Sequence, residues 1–421
     1  MGIRLTKEWP YQLLFLIAVG FSYINIYELS LLIWLIIFAV TVKRFYSKTI
    51  LRLCLFFLII VFIGGFRAFL YDYKLYDILR DISYFIKPVV GLMIGYQCIR
   101  SKESDFFKTV IYSAFVIATI HYIILFFSAL IHQINSIHDI RYYGGYFSDF
   151  ETFALIILLF HKKFQLNFSR KKLLFLILFI GGSLVLYLAR TNMIQFFILG
   201  CGMFGLFEIS KRKIIAFCSL MLIFGIGYKI IYDMNPSRNG KGFEAFLYKI
   251  KNSPKEIYDP YVKNDNSPRF HDNFRSYETK ITVNQVMNQD DLGVWLGKGF
   301  GSSVNYGSLM WTTDGSQVRH APILHNGYTT IFLKSGIIGT VIFLICMIYL
   351  SNLYSKTQNP LLNNIKLLIN STGIFLFFST LVFLGFYLKL DNKSLFVGGL
   401  IAYYEVIFKS KNLLNENFIS K

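Results

Sequence analysis

Long apolar runs, interrupted at short intervals by basic clusters, make up most of this chain. A bilayer core takes about 20 apolar residues per helical crossing. Five stretches reach that standard unaided: Ile50 to Phe66, Phe106 to Ile131, Lys172 to Ala189, Lys213 to Tyr232 and Ile365 to Leu388. Shorter runs lie between them. Together they predict spans near 10–25, 27–42, 50–66, 82–98, 108–131, 147–161, 172–189, 191–209, 213–232, 326–350, 365–388 and 394–408. The expected fold is an all-α polytopic membrane protein of about twelve transmembrane helices.

The pattern stops once. Residues 233–325 hold five of the eight prolines, 11 Lys/Arg against 10 Asp/Glu, and no membrane-length apolar run. Long connections without regular structure are uncommon unless functional. Within this segment Phe274, Tyr277, Ile281 and Val286 approximate one helical face. They predict a short helix over Asn273 to Asn288 lying on the membrane, with another at Phe243 to Lys251. The expected division is residues 1–232 with nine spans, 233–325 as a large loop, and 326–421 with three spans and a tail.

Lys and Arg in short loops orient such a chain. With the N-terminus inside, the cytoplasmic segments hold 22 basic residues and the short outer loops hold seven: Arg67, Lys74, Arg80, Arg141, Arg190, Lys389 and Lys393. Both termini are therefore expected in the cytoplasm and the large loop outside it. The same asymmetry accounts for most of the net charge of +19, so nucleic acid is not an expected partner. The composition fits: 16% of residues are charged, against about a quarter in soluble proteins. The 44 Phe and 28 Tyr exceed the needs of one core. The N-terminal run lacks a small-residue cleavage site and predicts an uncleaved first helix. Cys54, Cys98, Cys201, Cys218 and Cys346 all fall within predicted spans without paired spacing, as small packing residues would.

Charges inside a membrane are costly and hence candidate sites. Lys87 in YFIKPVVG, Arg190 in LYLARTN and Lys334 in IFLKSGIIG qualify. Each has a plainer reading as a snorkelling or helix-packing group. A second feature closes the large loop: Arg319-His320-Ala-Pro-Ile-Leu-His325-Asn326-Gly327, then a span with Gly336 and Gly339 on one face. An imidazole where the chain re-enters the membrane exchanges protons near neutral pH, and the glycines permit close helix approach. The plainer reading is an interfacial histidine with packing glycines. His320, His325 and Asp314 do not have zinc-ligand spacing, so no metal is expected. Gly297 to Ser303 (GKGFGSS) lacks the ending of a nucleotide loop and reads as a loop-shaping element.

These features together resemble the O-antigen polymerase and O-antigen ligase superfamily, integral-membrane glycosyltransferases acting on polyprenyl-diphosphate-linked glycans. The ligase pattern is His, then Asn, Ser or Gln, nine residues, Gly-x-x-Gly, then Thr or Val. It is met completely by His325-Asn326, Gly327 to Ser335, and Gly336-Ile-Ile-Gly339-Thr340. A loop-helix Arg followed by an acidic residue and a Gly-x-Gly-x-Gly run appears as Arg275, Glu278 and Gly297-Lys-Gly299-Phe-Gly301. An Arg at the outer end of the seventh helix appears as Ala189-Arg190-Thr191.

The resemblance implies a bacterial inner-membrane enzyme whose loop and active site are periplasmic. It implies an undecaprenyl-diphosphate-linked oligosaccharide as substrate, no cofactor or metal, and inversion at the anomeric carbon. A chain-length regulator and a flippase are implied partners. Arg190 and Arg275 match the family's essential arginines, which suit a leaving diphosphate because guanidinium binds oxyanions bidentately. His325 matches the proposed base. Arg141, Lys87, Arg319, Asn326 and Glu278 are candidate substrate-binding residues. Tyr142, Tyr143, Tyr146 and Phe147 read as an interfacial aromatic belt or as sugar-stacking groups. Ligases often carry an additional His just before the His-Asn pair. Here Ile323 and Leu324 stand there instead, which favours a polymerase over a ligase. A transporter, the reading from another class, usually shows inverted repeats and paired broken helices, and only Lys87-Pro88 has that character.

Overall fold

A computed structural model describes residues 8–419, apart from 25, 102–103, 133–139, 141–142, 146–148, 188, 209, 241–242, 260, 266, 312–316 and 388–390. A helix occupies each of the twelve apolar stretches. They are α1 (Trp9–Phe21), α2 (Tyr27–Val40), α3 (Lys48–Ala68), α4 (Leu75–Cys98), α5 (Phe106–His132), α6 (Asp149–Leu159), α7 (Arg170–Leu186), α8 (Arg190–Met203) and α9 (Lys211–Asp233). After the 233–325 segment come α14 (Gly327–Ser351), α15 (Pro360–Val382) and α16 (Lys393–Ile419). The 233–325 segment itself holds α10 (Phe243–Ile257), α11 (Pro268–Asp272), α12 (Phe274–Met287), α13 (Gly293–Leu296) and a hairpin of β1 (Val304–Trp311) and β2 (Gln317–Ala321).

Local chemistry explains several starts. The side chains of Ser47, Ser169 and Ser210 accept N-terminal backbone N–H groups and cap α3, α7 and α9. Asn326 and Asn359 do the same for α14 and α15. Five helices among the described residues are long and apolar enough to cross a membrane: α3, α5, α9, α14 and α15. The stretch from Lys172, expected to reach crossing length, forms a helix of 17 residues. Helix α6 has 11 residues, about 16 Å at 1.5 Å per residue.

Helices α4 and α16 pack backbone against backbone. A Cβ at Gly95 would collide with the Leu395 carbonyl, and one at Gly398 with that of Leu92. Small residues let the backbones touch, which is how helices pack where no water drives them together. Helix α1 contributes Phe15, Ala18 and Val19 to the same core. Four of the cysteines are buried as small packing residues, but Cys218 is exposed on α9, where many apolar side chains are exposed as well.

Helices occupy both expected stretches of the 233–325 segment, as α12 and α10, the latter running beyond Lys251 through Pro254 to Ile257. The hairpin was not expected. Its strands pair Val304 with Ala321 and Trp311 with Gln317, with a register shift between Asn305 and Met310. The shift falls at a positive-φ Gly307, and such irregularity hides the period-two alternation that marks a strand.

The GKGFG run plugs this segment back into the bundle. Gly297, Gly299 and Gly301 all have positive φ, a conformation open to glycine without strain. The Phe300 N–H donates to the Gly64 carbonyl at 2.9 Å, and its ring covers the space a Gly64 side chain would need. The Gly301 N–H donates to Asp81 at 2.8 Å. Lys334 reaches the same Asp81 carboxylate at 2.5 Å and the Ser302 carbonyl at 2.5 Å, with both charged side chains fully buried. Lys334 is thus a sealed joint between α14, α4 and the glycine run.

Helix α14 is broken. Gly336 has φ 64° and ψ −161°, so a nine-residue half-helix, residues 327–335, ends there before the chain resumes. A Cβ at Gly336 would strike the Trp295 carbonyl, and the Lys298 N–H takes the Leu333 carbonyl at 2.7 Å. Gly336 and Gly339 were expected on one continuous helix face. Instead Gly336 turns the chain, and Gly339 leaves room for the Ser335 side chain beside the break.

Candidate functional site

Asp259 sets the start of α12. Its carboxylate accepts from Arg269 at 2.9 Å and from the Asn273 side chain at 2.8 Å, while its backbone N–H donates to Ser276 at 2.5 Å. Burial opposes ionisation, but the Tyr261 N–H and Arg269 outweigh it and hold this carboxyl below its usual range. Along its length α12 is tied to β1. Tyr277 donates to the Tyr306 carbonyl at 2.8 Å, and the Gln285 amide meets both backbone groups of Asn305. A helix held at its start and side presents its other residues in fixed places, and two of these are Arg275 and Glu278.

Glu278 is buried, with a side chain 1% exposed. One carboxylate oxygen accepts from the Tyr306 hydroxyl at 2.5 Å. The other accepts the His325 backbone N–H at 2.7 Å and lies 3.1 Å from His325 Nδ1. Burial, then the facing carboxylate, push the Tyr306 phenol up, so it remains a donor. A carboxylate opposite Nδ1 selects the tautomer protonated there and leaves Nε2 with its lone pair. The imidazole is half exposed, 48% by side chain, with the Phe274 ring edge-on at 5.9 Å. Nε2 has no hydrogen-bond partner among the described residues. The geometry therefore gives Glu278 a positioning role toward His325.

Arg190 and Arg275, 85 positions apart in sequence, meet at Glu256 on α10. Arg190 binds it bidentately, at 2.9 Å for the shorter contact, and also donates to the Lys249 carbonyl and Ser253. Arg275 lies 3.8 Å from the same carboxylate. Because Arg275 and Glu278 are three positions apart on α12, one helical turn joins the arginine pair to the His325–Glu278 pair. The arginines here are partly exposed, 27% and 30% by side chain.

The other expected residues separate. Asn326 follows His325, and its side-chain oxygen accepts from the Tyr328 and Thr329 N–H groups as the α14 cap. Arg319 sits exposed on β2 and donates to Asn305 at 3.2 Å. Lys87 is buried within α4, 5.0 Å from the Tyr27 and Trp34 rings. Arg141, Tyr142, Tyr146, Phe147 and Asp314 lie outside the described residues. No group of three or more metal-ligating side chains occurs among the described residues. Sequence reasoning missed Glu256, Tyr306 and Asp259. Their signals are single residues with no fixed spacing to the arginines or the histidine.

No protein-family model matches the chain, and no curated protein is significantly similar to it.

Proposed function

We propose that the chain is a polymerase of O-antigen, capsular or other surface polysaccharide. It would lie in the bacterial inner membrane with twelve crossings, both termini in the cytoplasm and the 233–325 segment in the periplasm. The observation that carries the reading is the convergence of Arg190 and Arg275 on one carboxylate, a single turn of α12 from a carboxylate-held histidine. Two guanidinium groups close enough to share a dianion suit a leaving diphosphate. The lone pair on Nε2 suits a base.

In the proposed reaction an acceptor sugar hydroxyl attacks the anomeric carbon of the undecaprenyl-diphosphate-linked glycan. The new carbon–oxygen bond forms as the bond to the diphosphate oxygen breaks, through an oxocarbenium-like state as in other glycosyl transfers. The hydroxyl proton passes to His325 Nε2, and the bonding electron pair leaves on the diphosphate. Glu278 and Tyr306 keep the imidazole oriented. Arg190 and Arg275 bind the diphosphate once Glu256 yields its place. Attack from the opposite face inverts the configuration.

The test is a gel of surface glycan from a deletion strain complemented with this chain or its variants. A polymerase deletion leaves one repeat unit on the lipid-A core, and the His325→Ala, Arg190→Ala and Arg275→Ala variants fail to restore the ladder. A bare core with long chains on the lipid carrier would make the protein a ligase. An unchanged ladder would overturn both and reopen the transporter reading.

A further inference from the structure

A shallow cleft lies farther along α12. It is open to solvent, has a volume of about 410 Å³ and is lined by Asn284, Gln285, Asn288, Gln289 and Lys298. Asn284 and Asn288 are exposed, four positions apart on one helix face. Gln285 is fixed to Asn305, as described above. Gln289 Oε1 is buried without a hydrogen-bond partner among the described residues. Tyr73 donates to the Lys298 carbonyl at 3.1 Å. The ammonium of Lys298 has no acceptor among the described residues, and burial lowers its pKa.

The two exposed carboxamides, Asn284 and Asn288, offer donors and acceptors together, without net charge. That is the complement of sugar hydroxyls, each of which donates and accepts. A half-buried ammonium lacking a counter-ion calls for an anion beside those hydroxyls. The volume falls within the range of small-ligand clefts. Asn284 stands six residues beyond Glu278, about 9 Å along the helix axis, and Asn288 about 15 Å. A short oligosaccharide reaching from His325 along α12 covers that distance.

We propose that this cleft is a glycan subsite that binds a uronic acid residue of the substrate chain, with Lys298 on its carboxylate and the Asn284 and Asn288 carboxamides on its hydroxyls. The inference rests on the polymerase reading for the ligand's origin, but the binding is tested separately. Purified full-length protein in nanodiscs is titrated by calorimetry with trigalacturonate and with maltotriose. Trigalacturonate is expected to bind more tightly. Lys298→Met should weaken it about tenfold, the loss of one charged hydrogen bond, and remove the preference over maltotriose. Asn288→Ala should weaken both sugars, and Lys229→Met, at an exposed lysine of α9, should leave both unchanged. Absence of trigalacturonate binding, or binding unaffected by Lys298→Met and Asn288→Ala, overturns the subsite. An intact ladder in the His325→Ala strain would instead overturn the polymerase reading while leaving the measured binding in place.

Discussion

The joint at Asp81–Lys334 and the joint at Arg190–Glu256 both fasten the 233–325 segment to the bundle, and they are built in opposite ways. In the first, both side chains are fully buried, and the carboxylate also receives the Gly301 N–H. In the second, the partners are 27% and 16% exposed, and a second guanidinium stands 3.8 Å from the same carboxylate. A buried pair cannot part without leaving a charge stranded out of water. A partly exposed pair exchanges its partner for water or another anion at little cost. The first arrangement suits a permanent fastening and the second a place where an anion is received and released.

Breaking the sealed joint should have the largest effect. Lys334→Met removes one partner of a buried pair, a loss of about 3–5 kcal/mol, and should abolish monodisperse protein in size-exclusion chromatography. Adding Asp81→Asn should recover much of it by removing the stranded charge. If Lys334→Met folds normally, the contrast between the joints fails. At the open joint the balance reverses. Arg190→Ala and Arg275→Ala should each cut glycan polymerisation by about 10²–10³-fold, the scale for a lost oxyanion donor, while the melting temperature stays near that of the parent. A large fall in melting temperature would make these arginines structural instead.

Two smaller effects sharpen the comparison. Asp259→Asn should cost about 1–3 kcal/mol of stability at neutral pH, as for lost charged hydrogen bonds. Its carboxyl is held below the ordinary range in the folded chain. The stabilisation is therefore full above the unfolded value of about 3.9 and fades as pH falls through the lower folded value. Melting curves of parent and variant should converge in that acidic window, and a gap independent of pH would exclude the ionic account. Glu256→Gln should change stability least. It frees the arginine pair and should tighten binding of inorganic pyrophosphate several-fold, read by calorimetry. Unchanged binding would mean that Glu256 does not compete for the arginines.

Helix placement was largely legible in the sequence because apolar runs and serine or asparagine caps act locally. The twelve stretches carry helices, and α12 begins and ends within a residue of the expected limits. The break in α14 was not legible. Gly336 in a Gly-x-x-Gly pattern satisfies helix packing and a left-handed turn equally well, and only the Trp295 carbonyl beside it decides between them. The β1–β2 hairpin escaped for a related reason, since its alternation is interrupted by a register shift.

Composition and hydrophobic period by themselves determined a helical, membrane-type chain with one long polar segment and drew notice to Arg190 and His325, while Arg275 and Glu278 were singled out only by the family resemblance. Those signals depend on residues near one another along the chain. Tertiary structure alone decided that Arg190 and Arg275 share Glu256, that Glu278 faces His325, that Asn326 serves as a cap, and that Lys334 is sealed against Asp81. Charges and hydrogen bonds act through space over a few ångströms, and the chain brings such pairs together from up to 253 positions apart.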